Sequence, residues 1–410
     1  MAESEKRTPL SWAAGEGHDE VVKLLLTCQK VNPNLTDEVG RTPLLWAAER
    51  CHFGVVQLLL GCEDVNPNIP DNYGRTPLLE AAQKGHDEVV KLLLKFKNIH
   101  PDISNNYGRT PLLGAVKRGH HGVVQLLLGR EDVNPNRLYD VGNTPLIWAA
   151  EHGHDRVVKL LLEREDSTPN IQNALGKAPL QRAAEFGRDG VVQLLLGRED
   201  VNPNIQDIYG QTPLSWAAGS GHFGVVQQLL GREDVNPNIP DYSGRTPLSW
   251  AAGRGRFEIA QLLLEREDAN PNILDDNGRT PFSWAAGEGR DEVVKLLLKC
   301  EKVDPNVTNQ DGRAPLWWAA VEGQFGVAQQ LLGRKDVNPN IPDNIGRTPL
   351  SRAAEGGHDD VVQLLLAQEG VNPDIPDYYG KTPLWWASFA PNKSTVNLLQ
   401  ARQAANPDAV

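Results

Sequence analysis

Residues Thr42 to Arg75 read TPLLWAAERCHFGVVQLLLGCEDVNPNIPDNYGR, and the same 34-residue phrase recurs with substitutions along the whole chain. Thr-Pro-Leu or a close variant begins at Thr8, Thr42, Thr76, Thr110, Thr144, Ala178, Thr212, Thr246, Thr280, Ala314, Thr348 and Thr382. A constant step over twelve copies is the signature of a repeat array, and no non-repetitive segment remains for a second domain. The reading is a single domain over 1–410.

The local signals are the same in each copy. Thr-Pro starts a helix, the hydroxyl capping it and the proline ring pre-setting its first turn. The helix runs through Leu-x-Trp-Ala-Ala, whose paired alanines allow close approach of a neighbour. A Gly-His turn follows, as at Gly17-His18 and Gly153-His154. A second helix, Val-Val-Lys/Gln-Leu-Leu-Leu, has too wide an apolar face to stand alone at a surface. Only the adjacent copies can cover it. Val-Asn-Pro-Asn stops the helix, and Asp-x-x-Gly, as in Asp71 to Gly74, makes a tight turn. The result is a stack of helix pairs.

The motif Gly-x-Thr-Pro-Leu-x-x-Ala-Ala-x-x-Gly-His, followed by Val-Val-x-Leu-Leu-Leu and Val-Asn, resembles the ankyrin repeat across essentially the whole chain. The resemblance implies an all-α ankyrin-repeat solenoid of about twelve helix-turn-helix units with projecting β-hairpin loops. It also implies a concave binding face formed by hairpin tips and first helices. Three features depart from the family pattern. The period is 34 rather than 33, with the extra residue in Val-Asn-Pro-Asn. The histidine that commonly follows Thr-Pro-Leu is here Ser, Leu, Ile, Gln or Trp. The glycine that usually ends the second helix is moved, as at Gly61 and Gly129, or absent.

Composition narrows the function classes. The 410 residues are 40% hydrophobic and 23% charged, with net charge −12. That balance lacks the basic field that a phosphate backbone selects, so nucleic acid is not the expected partner. Apolar runs are far shorter than the ~20 residues of a membrane span, and MAESEKRTPL has no apolar signal segment. Four cysteines do not make a disulfide framework. The expectation is a soluble, cytoplasmic, monomeric protein, with the nucleus left open.

Catalytic residues would break the period, and few residues do. His18, His52, His86, His120, His154, His222 and His358 share the Gly-His position, where they are read as donors to a neighbouring copy. His100, His121 and His152 stand outside it without a matching Cys or carboxylate pattern, so no metal site is expected. Cys28, Cys62 and Cys300 share one position, and Cys51 replaces a turn glycine. Gly380-Lys381-Thr382 looks like the end of a phosphate loop, but Ile375 stands where the earlier glycine belongs. No cofactor and no enzymatic activity are expected.

Binding function then falls where the copies differ. Tyr73, Tyr107, Tyr139, Tyr209, Tyr242, Tyr378 and Tyr379 occupy three consecutive positions at the hairpin tip. Tyrosine offers a rigid amphipathic contact at low entropy cost; the alternative is that each ring lies flat on a neighbouring hairpin. All ten tryptophans fall at two adjacent positions after Thr-Pro-Leu, among them Trp46, Trp148, Trp216 and Trp250. They form either the floor of the binding face or a ring-on-ring ladder between copies. Glu80, Gly114, Arg182 and Arg352 interrupt that ladder with pockets and charges that suit a specific partner. Arg41, Arg75, Arg109, Arg245, Arg279, Arg313 and Arg347 are expected to pair with the turn aspartates as a solvated charge ladder.

The ends differ from the interior. Asn392, Lys393, Ser394, Asn397 and Gln400 suit a C-terminal cap with a wet outer face. The first copy looks like an interior one, so either Ala2–Lys6 improvises a cap or the chain is a piece of something longer. The expected function is a non-catalytic scaffold binding another protein. Two alternatives stay open. One is the ligand-sensing repeat region of a nucleotide-dependent immune-like receptor, since the copies resemble fungal ankyrin arrays. The other is an engineered binder.

Overall fold

In the computed structural model, residues 7–391 and 393–405 are described; the expected cap at Ala2–Lys6 and Asn392 lie outside them. The chain divides into two compact units, 1–202 and 203–410. Each is a stack of helix pairs, and no strand forms among the described residues.

One copy shows how the sequence builds a pair. Pro43–Glu49 is the first helix and Phe53–Leu60 the second. Thr42 Oγ1 accepts the Leu45 N–H at 3.1 Å, which satisfies one of the helix's unpaired N-terminal donors. Where the threonine is lost, at Ala178, the Gln181 side-chain oxygen accepts the Ala178 N–H at 2.9 Å instead. Leu44, Ala47, Ala48, Val55, Val56 and Leu59 are all buried. Each first helix packs on its own second helix and on the first helix of the next copy in the same unit. Burial of one such leucine stabilises the stack by roughly 1.5–3 kcal/mol. In the first copy the second helix leaves Val21 and Leu24 exposed. Near the C-terminus Lys393, Ser394, Asn397 and Gln400 are also exposed.

The expected β-hairpins are tighter turns. Asp71 N–H donates to Arg75 O at 3.0 Å, but the return bond goes to the side chain, with Arg75 N–H on Asp71 Oδ1 at 2.8 Å. The carboxylate takes the place of the carbonyl that a β-ladder needs. Only where Tyr139 replaces the aspartate does the backbone close the turn, with Asn143 N–H on Tyr139 O at 2.8 Å. That is the isolated bridge among the described residues.

Val-Asn-Pro-Asn does more than stop a helix, because its second asparagine ties successive copies together. Asn34 Nδ2 donates to Asp64 O at 2.6 Å while its Oδ1 accepts the Asn66 N–H at 2.8 Å. In the second unit Asn238 bonds Asp268 O and the Asn270 N–H in the same way, at 2.7 and 2.8 Å. A second tie follows several of the second helices, where an arginine stands two residues before an aspartate. Arg266 grips Asp268 through two hydrogen bonds of 2.9 and 2.8 Å and donates to Leu230 O of the copy before at 3.0 Å. It thereby satisfies a helix-end carbonyl that would otherwise lack a partner.

Candidate partner-binding surface

The turn tips are held from two sides. Within a turn, Asp71 Oδ1 accepts the N–H of Tyr73 at 3.0 Å and that of Arg75 at 2.8 Å. Between turns, Asn106 N–H donates to Tyr73 O at 3.0 Å, and Tyr242 N–H to Tyr209 O at 2.9 Å. On this fixed backbone Tyr73, Tyr107, Tyr209, Tyr242, Tyr378 and Tyr379 are between 49% and 76% exposed. Tyr139 is not at the tip. It stands at the aspartate position, is 7% exposed, and its hydroxyl accepts a hydrogen bond from Lys117 Nζ at 2.5 Å.

The tryptophans are fastened by the same turns. Indole Nε1 donates to the turn carboxylate nine residues earlier: Trp46 to Asp37 at 3.0 Å, Trp216 to Asp207 at 2.9 Å, Trp250 to Asp241 at 3.1 Å, Trp284 to Asp275 at 2.9 Å. The ring faces carry arginine. Arg41 lies 3.7 Å from the Trp46 ring centre, and Arg279 lies 3.4 Å from that of Trp318. Such contacts are worth about 0.5–2 kcal/mol, more as water is excluded. The tryptophan ladder is therefore braced by guanidinium groups. Where the aspartate is missing, the indole is left without an acceptor, as at Trp148 after Tyr139 and Trp318 after Asn309.

Several sequence expectations change here. Trp46, 3% exposed, is enclosed by Arg7, Arg41 and Arg50, so with Tyr139 it leaves the candidate surface. Trp148, Trp216 and Trp250 are half-buried. Glu80, 2% exposed, also leaves it: its carboxylate faces Arg75 at 3.1 Å, close but not aligned for a hydrogen bond. Arg182 is held by Glu151 at 2.6 Å and Glu185 at 2.8 Å. Arg352 takes over the missing indole's bond, reaching Asp343 at 3.0 Å, and pairs with Glu355 at 2.9 Å. Of the Arg–Asp series, Arg41, Arg75 and Arg245 pair within their turns, on carboxylates that are covered or nearly so. Arg109 and Arg313 instead have Asn105 and Asn309 there, and Arg347 pairs with Glu355 and Asp377. Burial raises the Asp37 carboxyl, but the Arg41 N–H, the Trp46 N–H, the Arg41 charge and the Val39 N–H together hold it below the usual carboxylate value. His52, His86 and His358 bond the end of the preceding copy's first helix through Nε2, as His52 with Gly15 O at 3.0 Å, whereas His154 Nε2 makes no such bond.

Glu80 behaves in the opposite sense to Asp37. Burial first, and then the neighbouring Glu49 charge, push its carboxyl up against the opposing pull of Arg75. A raised folded-state value means that ionisation opposes folding, so stability falls as pH climbs from the ordinary glutamate value through the raised one. Glu80→Gln is expected to raise the melting midpoint by a few degrees at pH 7.5, with the difference closing near pH 4. Thermal denaturation at the two pH values checks it; a destabilised variant at pH 7.5 refutes it.

The sequence profile described as ankyrin repeats, three copies to a match, fits residues 1–71, 54–138, 115–207, 180–275, 267–343 and 325–409. The chain belongs to the ankyrin-repeat family. No curated protein matches it. Ankyrin repeats are generally protein–protein interaction modules. No helix among the described residues of these ankyrin repeats is long and apolar enough to cross a membrane. No group of three or more metal-ligating side chains occurs among them. The Asp-to-Trp spacing of nine residues recurs in this ankyrin array, and the sequence reading missed the indole clamp that this spacing could have signalled.

Proposed function

We propose that the twelve copies act as one non-catalytic binding domain, and that the turn tips, with the adjoining first helices, grip a partner protein. In the family this is the concave face. The observation that carries the reading is the set of six tyrosines exposed on turns whose backbones are fixed twice over. A large ring that loses little freedom on contact makes an efficient anchor. An internal packing role would have covered these rings, as it covers Tyr139.

The test compares the intact chain with a variant carrying Tyr73, Tyr107, Tyr209 and Tyr242 changed to Ala. After equal helicity is verified, proteins retained from source-cell lysate are identified and their affinities measured. The expected result is specific retention by the intact chain and at least tenfold weaker binding by the variant. Equal affinity for both would refute the tyrosine anchors.

A further inference from the structure

At Arg7 and at Arg279 the guanidinium lies against indoles of two successive copies. In the first unit Arg7 is 4.7 Å from the Trp12 ring centre and 3.2 Å from that of Trp46. In the second unit Arg279 is 4.7 Å from Trp284 and 3.4 Å from Trp318. Arg245 holds the equivalent position in its copy but stays on Trp250, at 3.8 Å, with Asp241 at 3.3 Å. A cleft of about 230 Å³ opens instead between Trp250 and Trp284.

The rim of this cleft has an unusual charge. In the first copy Glu16 pairs with Arg50 at 2.9 Å. At the equivalent positions here the signs are exchanged, with Arg254 for Glu16 and Glu288 for Arg50. Arg254 donates to Gly219 O at 3.3 Å but has no carboxylate partner, because Ser220 stands where the next acid would be needed. Glu288 lies 3.7 Å from Arg290. Three guanidiniums therefore line the cleft with one carboxylate, which is already shared. The floor is Gly253, where other copies carry Glu49, Glu151, Glu185 or Glu355.

We propose that this cleft binds an acidic peptide segment of a partner protein, one flat apolar side chain entering between Trp250 and Trp284 and an adjacent carboxylate seating on Arg254. The inference rests on the reading that this face binds a protein. The volume admits one side chain, below the ~300 Å³ at which small-molecule pockets begin. The indole faces take up a flat ring, while their negative quadrupole keeps the carboxylate at the rim, where Arg254 offers it a charge-assisted bond. A basic side chain would meet three guanidiniums, of which Arg254 has no carboxylate to offset it.

The probe is a fluorescein-labelled Asp-Glu-Phe-Glu-Asp peptide, with Lys-Arg-Phe-Arg-Lys as its charge-reversed control, titrated against the full chain by fluorescence anisotropy. The variants are Gly253→Glu and Arg254→Ser. Glutamate and serine already stand at the equivalent positions of other copies, so the fold accommodates them. Saturable binding of the acidic peptide is expected, at least tenfold weaker in Gly253→Glu and several-fold weaker in Arg254→Ser. No saturable binding, tighter binding of the basic peptide, or acidic-peptide binding that survives Gly253→Glu would each overturn the proposal. If the peptide fails while the fourfold tyrosine variant still loses its partners, the cleft is wrong and the general function stands. If the peptide binds as expected while that variant keeps its partners, the cleft stands and the tyrosine anchors fall.

Discussion

Asp241→Ala is expected to destabilise the second unit by about 3 kcal/mol, a large share of the 5–15 kcal/mol that holds a typical domain. The Asp241 carboxylate is almost fully covered and serves four groups. Its Oδ1 accepts the N–H of Ser243 and of Arg245, each at 2.9 Å. Its Oδ2 accepts the Trp250 indole N–H at 3.1 Å and faces Arg245 at 3.3 Å. Alanine strands all of them, and a buried donor left without its partner costs about 1–3 kcal/mol. Asp241→Asn separates the contributions. Asn105, at the equivalent place in another copy, still accepts two backbone N–H groups, at 3.0 and 2.9 Å. The asparagine variant therefore keeps the turn and loses the indole bond and the charge, for a cost of about 1 kcal/mol. Urea unfolding followed by tryptophan fluorescence measures both. Equal losses for the two variants would show that the turn bonds contribute little.

Gly210→Ala is expected to cost about 2–4 kcal/mol, from two separable sources. At φ +76° a side chain is strained by roughly 1–2 kcal/mol whatever surrounds it. A Cβ there would also stand 2.6 Å from both the Tyr242 backbone nitrogen and its ring, so the neighbouring turn must shift. Gly380 provides the control, since it has a similar φ of +71° and nothing within 4 Å of an added Cβ. Gly380→Ala should show the backbone cost alone. The difference between the two variants is the contribution of turn-to-turn stacking, and equal losses would mean that the turns do not brace one another.

The helix pairs, their caps and the tyrosine tips were legible because each is written within one copy. Thr42 caps a helix three residues away, and the alternation of apolar positions fixes which side is covered. What escaped is whatever connects copies. Asn34 meets its partner thirty residues on, and Arg266 meets a carbonyl thirty-six residues back. Such pairings depend on the rise and rotation between copies, which no local pattern states. Tyr139 was misplaced for a related reason. Aromatic character suggested the tip, whereas its register put it at the aspartate position, where a side chain points inward. Glu80 was read as a charge on display because its position lies in the tryptophan ladder, but in its own copy the side chain is covered.

The asparagine tie also constrains how such a chain changes length. Because an interior asparagine of this kind finds the same carbonyl and the same N–H in the following copy, a gene can gain or lose one whole copy and leave no donor stranded at the new junction. An insertion of any other length would break the tie that spans it. Tandem duplication and deletion in whole steps are thus structurally quiet events, and the tips can diversify while the ladder beneath them stays in register.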